Sequence, residues 1–179
     1  MNITKLLVSI LFLVMSSQVS CKEVFKTGPV FAEYGRHAKV EHNAALDATT
    51  KLKVVFDVAE AAAEQKLNRR FDSLARFINM HVANGVLLEN IHLALVVHGE
   101  AGQDLLHNKA YQARNKTENP SAAIVNALLK NKVDIYLCGQ SAAYHQINAN
   151  DLIGGVQMSL SAMTAHALLN RQGYSLNPF

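Results

Sequence analysis

The chain has 179 residues, of which 50% are hydrophobic, and it carries a formal net charge of +3. This composition excludes an intrinsically disordered chain, and the weak charge, without a basic run that interleaves aromatic residues, argues against nucleic-acid binding. The two cysteines, Cys21 and Cys138, are too few for a disulfide framework.

The N-terminal segment, residues 1–21, has the organisation of a secretory signal peptide. Lys5 precedes an apolar run, Leu6 to Met15, and the small and polar residues SSQVSC follow it. The run is shorter than the roughly 20 apolar residues that a membrane-spanning helix needs. We therefore expect export to the periplasm, cleavage after Cys21 and no membrane span. The alternative is a lipoprotein that carries its lipid on Cys21.

The mature chain has the size of one domain with a hydrophobic core. Removal of residues 1–21 leaves 158 residues, with 16 basic and 14 acidic side chains and a charge of +2. Residues 22–50 show no sustained periodicity, and Gly28-Pro29 and Gly35 interrupt them. We interpret them as an extended N-terminal arm that precedes a domain at residues 51–179.

Apolar runs and amphipathic segments alternate along this domain. The predicted strands are Lys51–Val58, Ile91–Val97, Val133–Leu137, Val156–Leu160 and a short Tyr174–Phe179. Three helices are predicted. The first ends at Gly85, and its apolar face carries Phe71, Leu74, Ile78 and Val82. The second starts with Asn119 as N-cap and Pro120 at N1, and the third ends near Arg171 and has an apolar face of Leu160, Met163, Ala167 and Leu168. This pattern predicts a three-layer α/β fold, in which helices cover both faces of a parallel sheet.

Three polar side chains lie at the ends of the first three predicted strands. Asp57 is near the end of the first strand, His98 follows the second, and Cys138 follows the third. Ligands of parallel sheets gather at the carboxyl ends of the strands, so we expect these side chains to share one edge. For Asp57 we expect helix capping, because a carboxylate beside a thiol opposes formation of the thiolate.

Cys138 and His98 are the candidate catalytic residues. The residues GQSAA after Cys138 indicate a tight turn into a helix, whose N-terminal N–H groups lower the pKa of a thiol. The alternative is a structural cysteine that packs as a small hydrophobe. His98 is a candidate acid or base, and its alternative is a hydrogen-bonded structural role.

No metal site or cofactor is expected from the sequence. The other histidines form no metal-ligand grouping with carboxylates or cysteine; they are His37, His42, His81, His92, His107, His145 and His166. The chain has no P-loop, no Rossmann glycine motif and no GxSxG motif.

Three segments of the domain read LALVVHGEAGQDLL, VDIYLCGQSA and VQMSLSAMTAHALLNRQGYSL. In their order and spacing they resemble the DsrE/DsrF-like family, in particular its exported branch, over residues 51–179. The resemblance implies a five-stranded, mostly parallel sheet and a homo-oligomer, a trimer or hexamer. It also implies a persulfide on Cys138, which matches the cysteine of the sulfur-relay members. The Arg-Arg-Gly or Arg-Gly segment of those members is replaced here by residues 144–147, YHQI.

Two functions remain open on this basis. The first is a sulfur carrier, in which Cys138 takes sulfane sulfur from a donor protein and passes it to an acceptor protein. The alternative is a non-catalytic binding or assembly module with a structural cysteine. A thiol–disulfide redox role ranks third, because the chain has no CxxC pair.

Overall fold

The structure is a computed structural model that describes residues 24–177. The predicted signal peptide, its cleavage site and the last two residues of the final predicted strand lie outside the described residues. The described chain begins with two short antiparallel strands, β1 (Phe25–Lys26) and β2 (His37–Ala38).

A five-stranded parallel sheet forms the centre of the domain. Its strands are β3 (Leu52–Val58), β4 (Ile91–Val97), β5 (Asp134–Cys138), β6 (Gln157–Ser159) and β7 (Ser175–Asn177). Their spatial order is β6-β5-β4-β3-β7, and every neighbouring pair is parallel. The predicted sheet is confirmed, and its strand boundaries are close to those read from the apolar runs.

The helices lie on both faces of this sheet, so the three-layer prediction is also confirmed. They are α1 (Arg69–Val82), α2 (Asn108–Asn115), α3 (Ala122–Lys130), α4 (Gly139–Tyr144) and α5 (Ala162–Arg171). Three 3-10 helices, Leu88–Asn90, Gly99–Leu105 and Ala149–Asp151, complete the connections. Within residues 24–177, no helix is long and apolar enough to span a membrane.

Alternate side chains of the three central strands, β3, β4 and β5, enter two separate cores. On β3, Val54 and Phe56 pack in the larger core with residues of α1 and α3. Val55 points to the opposite face and packs in a smaller core with Ala165 and Leu169 of α5. Because side chains alternate along a strand, every second residue of β3 and β5 faces α5.

The start of α3 differs from its prediction. Ser121, and not Asn119, is the N-cap residue. The Asn119 side chain accepts a hydrogen bond from the Ser121 N–H and donates to the carbonyls of Asp104 and Leu106. Asn119 therefore fixes the turn that precedes the helix, and Pro120 lies in that turn and not at N1.

The predicted apolar face of the last helix is wrong. Leu160 is 73% exposed, Met163 is 80% exposed and Leu168 is 49% exposed. The residues of α5 that are buried against the sheet are Ala165 and Leu169. A helix that lies close to a sheet needs small side chains at the contact, and alanine is a weak signal in an apolar pattern.

The segment before β3 is fixed to α1 by one buried amide. The Asn79 side-chain oxygen accepts hydrogen bonds from the backbone N–H groups of Val30 and Phe31. Its side-chain nitrogen donates to the carbonyls of Phe31, Tyr34 and Gly35. Asn79 is fully buried, so this segment covers one side of α1 and contributes Phe31 to the larger core.

Candidate functional site

A cleft of about 320 Å³ opens at the carboxyl edge of the sheet, above the ends of β3, β4 and β5. Its lining residues are Asp57, His98, Cys138, Gln140, Ser141, Ser161, Ala162, Met163 and His166. The structure thus brings together the three side chains that the sequence placed at this edge, and α5 adds a second histidine.

Strand alternation accounts for the position of the side chains in the cleft. Asp57 follows Val55 by two residues on β3 and therefore lies on the α5 face. Cys138 follows Tyr136 by two residues on β5 and lies on the same face, as the last residue of its strand. His98 comes directly after β4, where the chain turns into the 3-10 helix Gly99–Leu105.

The Cys138 thiol is buried and hydrogen-bonded. Only 6% of the residue is exposed, and this burial raises the pKa of the thiol. Hydrogen bonds from the backbone N–H and hydroxyl of Ser141, and from the backbone N–H groups of Ala162 and Gln140, act in the opposite direction. They outweigh burial, so the pKa of Cys138 lies below the ordinary value of a cysteine. The sulfur therefore lies between the first turns of α4 and α5.

Ser141 connects the cysteine segment with the histidine segment. Its Oγ accepts a hydrogen bond of 2.9 Å from the Gly99 backbone N–H, which leaves its own proton for Cys138. Gly99 has a φ of +54°, and a Cβ on it would lie 2.9 Å from the Ala59 carbonyl oxygen. The glycine after His98 is thus required by a close backbone contact that also positions the donor to Ser141.

Asp57 joins the two histidines of the cleft. Its Oδ2 lies 3.0 Å from Nε2 of His98, and its Oδ1 lies 2.6 Å from Nε2 of His166. Burial raises the pKa of Asp57, but the hydrogen bonds from His98 and His166 outweigh burial and leave that pKa below its usual value. The helix-capping interpretation of Asp57 is wrong, because this carboxylate is held by two imidazoles and caps no helix.

His166 and Ser141 are the site residues that sequence reasoning did not select. Ser141 was part of the GQSAA turn without a role of its own. The sequence places His166 only among the histidines that form no metal-ligand grouping. It also puts the apolar face of this helix on Met163 and Leu168, which gives no reason to turn His166 towards the sheet. A face built from small residues, with Ala162 and its i+3 neighbour Ala165, puts His166 at i+4 on the same side.

The cleft offers nucleophilic and proton-transfer groups and no assembled metal site. Among residues 24–177, no group of three or more His, Cys, Asp or Glu side chains is placed to hold a metal ion. The Nε2 atoms of His98 and His166 are both directed at Asp57. What the arrangement can do chemically is to hold a thiolate at Cys138 beside two titratable rings.

Comparison with known proteins agrees with this fold. The model of the DsrE/DsrF-like family matches residues 24–178, a range that includes the segment before β3. A protein of unknown function, MTH1491 from Methanobacterium thermoautotrophicum, has a similar structure, with a TM-score of 0.53 and 16% identity over 72% of this chain and 100% of that chain. The YchN protein from E. coli is similar with a TM-score of 0.50 and 19% identity, over 72% of this chain and 100% of that chain. No curated protein matches the sequence. The chain belongs to the DsrE/DsrF-like family.

Proposed function

We propose that this protein is a sulfur carrier that holds sulfane sulfur as a persulfide on Cys138. The observation that carries the proposal is the position of Cys138, which ends β5, is the N-cap residue of α4 and lines the cleft at the carboxyl edge of the sheet. The Ser141, Ala162 and Gln140 groups around it lower the pKa of the thiol and so favour the thiolate, which is the nucleophilic form of cysteine. Membership of a family that is generally related to sulfur relay supports the same chemistry.

The carrier reaction requires no cofactor. The Cys138 thiolate attacks the outer sulfur of a donor persulfide, R–S–SH. The S–S bond of the donor breaks, a new S–S bond forms on Cys138, and the donor leaves as the thiolate R–S⁻. Attack by an acceptor thiolate on the Cys138 persulfide releases the sulfur in the same way. Each transfer moves one sulfur atom without net oxidation or reduction.

The position of Cys138 restricts the partners that can reach it. With 6% of the residue exposed, access to the thiol is through the cleft of about 320 Å³. A donor or acceptor must therefore be a small persulfide, or a protein that presents its sulfur on a narrow projecting segment.

The experiment is sulfur loading followed by intact-protein mass spectrometry. Incubation with glutathione persulfide should add the mass of one sulfur atom, and a reductant should remove it. Cys138→Ser should give no adduct while keeping the circular dichroism spectrum of the wild type, since the two side chains are close in size. The alternative, a binding or assembly module with a structural cysteine, predicts an inert thiol. A wild-type protein that takes up no sulfur at a pH where Cys138 reacts with iodoacetamide contradicts the carrier proposal.

We further propose that the carrier acts in the periplasm and as a homo-oligomer. The order of Lys5, the apolar run and the small residues before Lys22 supports export. The oligomer is supported by the general behaviour of the family and by large apolar side chains on the surface, of which Leu160 and Met163 are the most exposed near the cleft.

A further inference from the structure

Asp57, His98 and His166 form a hydrogen-bonded group in the cleft that stabilisation of a thiolate at Cys138 does not require. One carboxylate receives hydrogen bonds from the Nε2 atoms of two imidazoles, at 3.0 Å and 2.6 Å. Because a carboxylate only accepts hydrogen bonds, Nε2 of each ring carries the proton that faces Asp57, and Nδ1 is the nitrogen that does not contact Asp57. An aspartate that orients an imidazole and stabilises its protonated form is the arrangement on which acid–base histidines depend.

The cleft contains few other charges. Among the described residues that line it, the titratable groups are Asp57 from β3, His98 after β4, Cys138 from β5 and His166 from α5. The side chains of Asp57, His98 and His166 are 35%, 33% and 25% exposed, so solvent reaches each of them. The two imidazoles thus share the lining of one solvent-accessible cleft with the Cys138 thiol.

We propose that His98 and His166 exchange the protons of sulfur transfer at Cys138, and that Asp57 is the positioning residue for both rings. The inference rests on the proposed sulfur-carrier function. An imidazole takes the proton of the Cys138 thiol, directly or through one water. The thiolate then displaces R–S⁻ from the donor persulfide, and the imidazolium returns the proton to R–S⁻. The sum is Cys–SH + R–S–SH giving Cys–S–SH + R–SH, with the ring neutral again.

The test compares leaving groups of different basicity. A thiolate of glutathione is basic and benefits from protonation as it leaves, whereas the thionitrobenzoate released from DTNB is a weak base and does not. The variants are Asp57→Asn and the double change His98→Gln, His166→Gln. His92→Gln is the matched control, because His92 is an exposed histidine at the opposite end of β4.

Reaction rates of Cys138 should separate the two reagents. We expect the histidine variant to slow sulfur uptake from glutathione persulfide about 10²-fold and the reaction with DTNB only a few-fold. The reaction rates of Asp57→Asn should change in the same direction, and the rates of His92→Gln should equal those of the wild type. The rates are compared at a pH where Cys138 reacts as the thiolate, so that the two reagents differ only in protonation of the leaving group. Equal slowing with both reagents, or no slowing with either, then overturns the proton-transfer role.

A third reagent, oxidised glutathione, tests proton transfer separately from the carrier function. When Cys138 attacks it, it releases the same basic thiolate as glutathione persulfide but transfers no sulfane sulfur. If the wild type takes up no sulfur while the histidine variant loses rate selectively with oxidised glutathione, the carrier function fails and the proton-transfer role stands. If sulfur is taken up equally by the wild type and the variants, the carrier function stands and the proton-transfer role fails.

Discussion

At the scale of single residues, the environment of Cys138 depends on few groups. Ser141 contributes both its backbone N–H and its hydroxyl to the thiol, and Gly99 holds that hydroxyl in place. Gly139 is also constrained, since a Cβ on it would lie 2.6 Å from the Ser159 carbonyl oxygen. The residues that flank the cysteine therefore fix the close approach of β6 as well as the start of α4.

Replacing Ser141 with alanine should make Cys138 less reactive near neutral pH. Loss of the hydroxyl donor raises the pKa of the thiol, so less thiolate is present at any pH below that pKa. Timed alkylation with iodoacetamide should be slower in Ser141→Ala than in the wild type by up to about tenfold at pH 7. The two proteins should react at equal rates at a pH well above both thiol pKa values.

The direction of the pKa change can be measured from the pH dependence of the alkylation rate. Reactivity of the wild type should rise with pH through a midpoint below that of free cysteine, and Ser141→Ala should move the midpoint upward. Ser175→Ala is the control, because Ser175 is exposed and hydrogen-bonds to Lys53 far from the cleft. An unmoved midpoint in Ser141→Ala, with an unchanged circular dichroism spectrum, would show that the hydroxyl does not support the thiolate.

At the scale of elements, the sequence predicted the buried strands well and the helix faces unevenly. β4 is apolar along its length, and its predicted bounds, Ile91–Val97, are those observed. α1 was recognised from its spaced apolar residues, of which Phe71, Leu74 and Ile78 are buried. These elements are predictable because burial alone determines them.

The sequence did not predict the elements, or the faces of elements, that do not depend on the burial of large apolar side chains. α2 buries no residue and is instead capped by His107, whose side chain accepts from the Ala110 N–H, while Lys116 ends it in the left-handed conformation. α5 packs through small side chains, which is why its buried face and His166 were not found. Parallel topology was enough to place Asp57, His98 and Cys138 together, but a contact between His166 and Asp57 spans 109 residues and depends on the rotation of one helix.

Asn79 gives an element-scale prediction. Asn79→Ala removes a buried amide whose five hydrogen bonds hold residues 30–35 on α1. Urea denaturation should show a loss of about 3 kcal/mol in the free energy of unfolding, because backbone groups at the contact lose their partners. Hydrogen exchange should become faster in residues 28–35.

A matched asparagine provides the control. Asn126 lies on the exposed side of α3, and its side chain donates to the Ala122 carbonyl one turn earlier. Asn126→Ala should change the free energy of unfolding by less than about 0.5 kcal/mol. Equal stabilities of the two variants would mean that the segment before β3 is not held by Asn79.

At the scale of the whole molecule, export is the prediction that the N-terminal sequence makes. Expressed in E. coli, the protein should be recovered from the periplasmic fraction, and N-terminal sequencing should begin near Lys22. A product that retains Met1 in the cytoplasm contradicts export. A lipid-modified Cys21 in the membrane fraction would instead support the lipoprotein alternative, with the same domain anchored by its N-terminus.

The cleft also has a consequence for the order in which the chain is made. Asp57, His98 and Cys138 all precede residue 139, whereas the Ala162 N–H and the His166 ring come from α5, near the end of the domain. A truncated chain that stops before α5 contains the cysteine but lacks the Ala162 N–H, one of the donors that lower the pKa of its thiol. Such a chain also lacks the His166 ring, so Asp57 keeps only His98 as a partner of the two imidazoles that hold it in the complete domain.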